Sequence, residues 1–205
     1  MKTPIINIVV FDTETTGLSK DKNAIIEIYC CGFDNELNDI KEFHSGVMKI
    51  YGNREIVEQA LQANGITRDQ IATGNDPQEQ IEKLCAYFKS LAVGRNKPVV
   101  AGRNIDKFDL PFMNDMFAYF KKNLADYIND EFTIDTMHWA RLKRVEQTNY
   151  KLGTCCEEEG IELINAHRAQ ADTIANKQLV KKYIQNLRSD SEMKKEKRFR
   201  ATFEF

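Results

Sequence analysis

Asp12 and Glu14 stand two positions apart in VVFDTETTGL (residues 9–18), directly behind a run of apolar β-formers. On a strand, residues i and i+2 project to the same side, so the pair presents two carboxylates together. Left unscreened they repel: either one takes a proton or a cation sits between them, and hard oxygen donors suit Mg²⁺ or Mn²⁺ better than zinc. On the spacing alone, a cap plus a solvated acid in a turn accounts for the pair equally well. A second acidic group, Asp106 and Asp109 in AGRNIDKFDLPFM (101–113), falls between a short strand and an amphipathic helix, a junction where functional side chains stand at a sheet edge. By itself Asp109 reads as the N-cap of that helix. The third group is His167 and Asp172 in AHRAQAD (166–172). Five positions on a continuous helix are roughly 140° apart, so the two converge only if His167 lies in the loop before the helix and Asp172 in its first turns. An unperturbed imidazole pKa of about 6.5 suits His167 to taking a proton from water.

Acids so far apart in the chain need a sheet to bring them together. Ile5 to Phe11 reads as a buried strand, Ala24 to Phe33 as a second, and Glu42 to Lys49 as a third, in an antiparallel meander with short connections. The apolar spacing of Ile56, Ala60, Leu61 and Ala63 predicts a helix ended by Asn64-Gly65. Asp76-Pro77 opens another, carrying Ile81, Leu84, Cys85, Phe88 and Leu91. A short strand over Pro98 to Ala101 precedes a helix with Pro111 in its first turn. Phe132 to Ile134 is the last strand, and Asp135-Thr136 caps the helix that follows. Two helical stretches, Leu152 to Glu159 and Ala169 to Leu187, complete an α/β chain with a mixed sheet flanked by helices.

With 205 residues, 42% of them hydrophobic and 29% charged, the chain is long enough for one sizeable core, and its net charge of −2 sets up no strong field of either sign. One domain over 1–188 is expected, with 189–205 as a basic C-terminal tail or helix extension. Lys194, Lys195, Lys197, Arg198 and Arg200 read as a solvated terminus before they read as a phosphate-binding arm. The acidic run Glu157 to Glu159 is expected to be a solvated helix face, and His44 and His138 to be structural. The run from Pro4 to Phe11 is too short to span a membrane and lacks a signal-peptide cleavage pattern. Five cysteines without CxxC spacing predict buried thiols in a reducing cytoplasm.

VVFDTETTGL, GRNIDKFDLPFM and HRAQAD, in that order, resemble the three motifs of the DEDDh exonucleases, the DnaQ-like group that includes proofreading subunits of DNA polymerases. Supporting similarity runs through AIIEI, NGITRDQI, FTIDTMHWAR and LGTCCEEEGIEL, from residue 7 to about 185. The resemblance implies an RNase H-like fold, with a mixed five-stranded sheet whose first three strands are antiparallel. It implies Asp12, Glu14, Asp109 and Asp172 as ligands of two Mg²⁺ or Mn²⁺ ions and His167 as general base. Thr15, Leu18 and Asn104 would contact the terminal nucleotide. The implied activity is hydrolysis of phosphodiester bonds from a 3′ end, releasing nucleoside 5′-monophosphates. The implied partners are single-stranded or 3′-terminal nucleic acid, DNA or RNA, and a DNA polymerase subunit. Two departures stand out. Arg103 occupies a position where many relatives have histidine, and the interval from Asn104 to Asp109 is one longer than the commonest form, which leaves Asp106 as a rival ligand. The competing reading is a non-catalytic RNase H-like module that binds nucleic acid or a polymerase; an RNase H-like endonuclease is a third.

Overall fold

The computed structural model describes residues 6–163 and 168–203, with side chains as far as Ser191. Five strands, β1 (Ile8–Thr15), β2 (Ile25–Phe33), β3 (Asp39–His44), β4 (Val99–Gly102) and β5 (Asn129–Asp135), form one sheet in the order β3-β2-β1-β4-β5. β1 pairs antiparallel with β2, and β2 with β3, whereas β4 lies parallel to both β1 and β5. This is the expected mixed sheet with an antiparallel first half.

Parallel neighbours require crossovers, and helices provide them. α1 (Glu58–Asn64), α2 (Arg68–Ala72) and α3 (Pro77–Ser90) lie between β3 and β4, and α4 (Asp109–Tyr119) between β4 and β5. α5 (Thr136–Lys143), α6 (Leu152–Glu158) and α7 (Ala169–Phe203) follow. The alternation along β1 divides the core. Val9 and Phe11, with Ile28, Cys30 and Val100, pack against α3 and α4 through Ile81, Leu84, Phe88, Phe112, Met116 and Phe117. Val10, with Phe33, Val99 and Ala101, packs on the other side against Val180 and Ile184 of α7. Each large apolar side chain fully withdrawn from water contributes about 1.5–3 kcal/mol, so these two layers fix which face of the sheet α7 covers.

Local chemistry sets several boundaries. Asp76 caps α3 by accepting from Glu79 N at 2.9 Å, with Pro77 at the first helical position. Gly65 (φ +70°) ends α1 in the left-handed conformation that the Asn-Gly pair predicts, and a second helix, α2, follows it, opened by a Thr67/Gln70 capping box. β1 runs on past Phe11 through both acids to Thr15, because β2 continues opposite it, pairing Asp12 with Tyr29 and Glu14 with Glu27. Ile5 lies outside the described residues. The third strand is earlier than expected: Gly46 (φ +61°) turns the chain out of β3, although Ser45 and Met48 still bond to β2 carbonyls. β5 is longer than Phe132 to Ile134, and α7 continues well beyond Leu187 to Phe203. All five cysteines are buried free thiols.

Candidate active site

Strand parity carries Asp12 and Glu14 to the same side as Val10, the face that α7 covers. Asp172 occupies the first turn of α7. Each of these three carboxylates offers an oxygen within 4.8 Å of the others. Their proximity has an electrostatic consequence. The Asp12 carboxyl is held well above its ordinary pKa by withdrawal from water and then by the charges of Asp109, Glu14, Asp172 and Glu27. Glu14 is pushed up to about 8, again by burial first and then by Asp172 and Glu27, with the Arg168 guanidinium acting in the opposite direction.

Asp109 approaches from the opposite side of the sheet. It is the first residue of α4, and the N-cap position belongs to Phe108, whose side chain makes no capping bond. The capping role that local sequence suggests for Asp109 is therefore not the one it takes. Its buried Oδ1 instead accepts from Thr13 N at 3.1 Å and Thr13 Oγ1 at 2.7 Å. Burial raises its pKa to about 7 against those two bonds, and its charge is the largest electrostatic influence on Asp12. Asp106, the rival, belongs to a different cluster. It is exposed, accepts from Thr133 Oγ1 at 2.6 Å, and lies with Asp135 and His138.

Of the nucleotide-contact candidates, Thr15 ends β1, Leu18 follows in the loop after it, and Asn104 lies in the loop after β4. Thr15 is buried and donates to Gly17 O at 2.7 Å. Gly17 has no room for a side chain, since an added Cβ would lie 2.4 Å from Asn23 Oδ1, and Asn23 in turn ties the loop to Ser19 and Glu55. On this braced loop Leu18 is 86% exposed, a large apolar side chain offered to solvent. Asn104 has φ +54° and donates its backbone N–H to Asp135 Oδ1 at 3.0 Å. Arg103 donates to Cys155 Sγ at 3.7 Å. His167 lies outside the described residues, as do the side chains of the basic cluster from Lys194 to Arg200.

Local reading overlooked Glu27. It is 1% exposed on β2, directly across from Glu14, and Arg168 and His44 both bond to it. Its signal in sequence is a lone acid inside the apolar run AIIEI. The His44 contact at 3.0 Å gives that histidine the structural place expected of it, and His138 Nδ1 lies 3.9 Å from Asp135 Oδ2. The acidic run divides: Glu157 and Glu158 are exposed, but the Glu159 side chain is 4% exposed, held by Lys143 at 2.6 Å and Arg144 at 3.4 Å. The expectation of a wholly solvated face is wrong at that residue, because Lys143 at the end of α5 and Arg144 just after it draw the carboxylate inward.

A family model described as exonuclease, RNase T, matches residues 9–180. The chain belongs to this exonuclease family. The DNA polymerase III PolC-type protein of Latilactobacillus sakei is 32% identical to this exonuclease over 164 residues, which are 80% of the chain and 10% of that protein. The Bacillus subtilis PolC-type protein is 28% identical over 179 residues, 87% of the chain and 11% of that protein. The exonuclease chain thus spans about a tenth of the length of the curated relatives it matches. Among solved structures, Escherichia coli Exonuclease I in complex with a dT13 oligonucleotide superposes with a TM-score of 0.72 at 20% identity, over 86% of this chain and 40% of that one. The fold is RNase H-like, as the motif resemblance implies. Among the described residues no helix is long and apolar enough to cross a membrane.

Proposed function

We propose that this exonuclease removes nucleotides one at a time from the 3′ end of single-stranded DNA, with Asp12, Glu14, Asp109 and Asp172 holding two divalent ions. The observation that carries the reading is the meeting of Asp12 and Glu14 of β1 with Asp172 of α7, oxygens within 4.8 Å, in carboxyls whose mutual repulsion a cation would relieve. An all-oxygen, anionic donor set fits Mg²⁺ or Mn²⁺. When bound, such ions supply Lewis acidity toward the phosphodiester and make water a stronger acid. His167 takes the proton of the attacking water. The water oxygen bonds to phosphorus, the P–O3′ bond breaks, and the 3′ oxygen leaves with a proton, so a nucleoside 5′-monophosphate is released. Thr15, Leu18 and Asn104 position the terminal nucleotide, Leu18 by placing its apolar side chain against the base. The oligonucleotide in the Exonuclease I complex favours DNA as the substrate, and the PolC-type relatives favour a polymerase chain as partner. Unpaired buried thiols suit action in the cytoplasm.

A time course on 5′-labelled DNA and RNA oligonucleotides, with Mg²⁺ or with EDTA, tests this directly. A Mg²⁺-dependent descending ladder, faster on DNA, is expected; cleavage of circular DNA, or no cleavage at all, contradicts it. His167→Ala should slow the chemical step by about 10²- to 10⁴-fold while Mn²⁺ affinity stays near that of the wild type. A full rate in that variant would remove His167 from its role. The two rival acids separate cleanly. Asp109→Asn should lose activity and metal affinity together, whereas Asp106→Asn should stay within about 3-fold of wild type, as surface changes away from a site usually do.

A further inference from the structure

The charged network nearest the three clustered acids is one for which neither hydrolysis nor core packing gives an obvious need. Glu27 is 1% exposed on the α7-facing side of β2, a side otherwise lined by Tyr29, Cys31 and Phe33. Arg168 grips it with two prongs, Nη2 to Oε1 at 2.8 Å and Nε to Oε2 at 3.3 Å, and His44 Nε2 lies 3.0 Å from Oε1. The two ion-pair residues are 141 positions apart. Glu27 is buried but the Arg168 side chain is 44% exposed, and an ion pair with a solvated partner contributes little to stability. Its chemistry here is directional.

Arg168 immediately follows His167 in the chain and immediately precedes α7. Its backbone carbonyl accepts the N–H of Asp172 at 3.0 Å, so the arginine and the acid belong to one helical turn. At the other end of the pair, Glu27 is the register partner of Glu14. The bidentate contact therefore links the turn that carries Asp172 to the strand residue facing Glu14. Ala169, fully buried against Tyr29 and Cys31, and Thr173, whose Oγ1 donates to Tyr29 O at 3.2 Å, continue the same seam. Arg168 also places a cation beside Glu14 while it neutralises Glu27, whose charge otherwise adds to the repulsion on Glu14 and Asp12.

We propose that the Arg168–Glu27 ion pair is a positioning device that sets the start of α7, and with it Asp172, against the strand carrying Asp12 and Glu14. This rests on the exonuclease reading above. Partners that orient metal ligands typically cost about 10- to 100-fold in activity when removed, and a fall of that size in kcat is expected for Arg168→Ala, with KM within about 3-fold of wild type. Free guanidinium at low-millimolar concentration should restore part of the lost kcat, whereas methylammonium, which lacks the planar fork, should not. Arg168→Lys should be intermediate. In the metal-free protein, hydrogen exchange of the Ala169–Thr173 amides should accelerate in Arg168→Ala. Glu27→Gln, nearly isosteric, should lose kcat in the same direction without guanidinium rescue, and it carries the test if Arg168→Ala does not fold. Wild-type kcat in both variants, or unaltered exchange at the start of α7, overturns the proposal while leaving the exonuclease reading in place. A wild-type chain without Mg²⁺-dependent trimming overturns that reading, and the positioning role with it.

Discussion

Asp12→Asn is expected to abolish hydrolysis and, in EDTA, to melt at a higher temperature than the wild type. The two effects share one cause. Asp12 is surrounded by Asp109, Glu14, Asp172 and Glu27, and with water partly excluded each neighbour makes its ionised form more costly. An amide of the same shape carries no charge, so the metal-free fold is relieved of repulsion that the native acid imposes. That same repulsion is what a bound divalent ion would answer. Deleting one carboxylate forfeits several kcal/mol of transition-state stabilisation, on the order of 10⁴-fold in rate. If the relief is about 1–2 kcal/mol, melting rises by about 2–8 °C for a chain of this size. Single-turnover rates in Mg²⁺ and thermal melts in EDTA near pH 8 measure the two sides. A variant that loses activity and stability together would make Asp12 a structural residue.

The contrast between Asp12 and Asp109 marks what the chain discloses locally. The same-side projection of Asp12 and Glu14 follows from the two-residue period of a strand, so their pairing is legible without any tertiary information. Asp109 is not, because an aspartate before a helix looks like a cap; Thr13, 96 positions away, claims its oxygen instead. Asp172 is intermediate. Its place in an early helical turn is legible, but its approach to β1 depends on Val180 and Ile184 docking on Val10 and Ala101. Arg168 and Glu27 lie beyond local reading, since neither residue's neighbours in sequence hint at a partner across the sheet. The antiparallel first half and the mixed character of the sheet followed from the early hairpins and the later strand-helix alternation, whereas the place of β4 beside β1 is set only by tertiary pairing. Boundaries followed less well: polar residues from Asp12 to Thr15 conceal a strand that β2 stabilises from outside, and Gly46 moves β3 in a way that apolar alternation does not predict.

Removing divalent ions should make the fold less stable as pH rises, and restoring them should reverse the trend. In the unfolded chain Asp and Glu carboxyls titrate at about 4. In the folded chain Glu14 does so at about 8 and Asp109 at about 7, with Asp12 also well above its ordinary value. Through the window between those limits the unfolded state has released protons that the native state still holds, so stability from these groups is full below about pH 4 and is lost as pH climbs toward 8. Glu27 acts with the opposite sign. Burial alone would raise its pKa, but bonds from His44 and Arg168 outweigh that and hold it below its usual value, so its contribution disappears on acidification. Glu27 offsets the loss only at the acidic end, so in EDTA stability should fall between about pH 5 and pH 8. Divalent ions held by the deprotonated carboxylates would stabilise the native state by mass action, so proton release should accompany binding. The rise in melting temperature caused by Mg²⁺ should be small at pH 5 and grow to about 5–10 °C by pH 8. Thermal melts across this range with EDTA or Mg²⁺, together with pH-stat titration of the released protons, measure the coupling. A metal-free protein whose melting temperature stays level or climbs between those pH values, with a Mg²⁺ effect indifferent to pH, would mean that these acids are not assembled to hold cations.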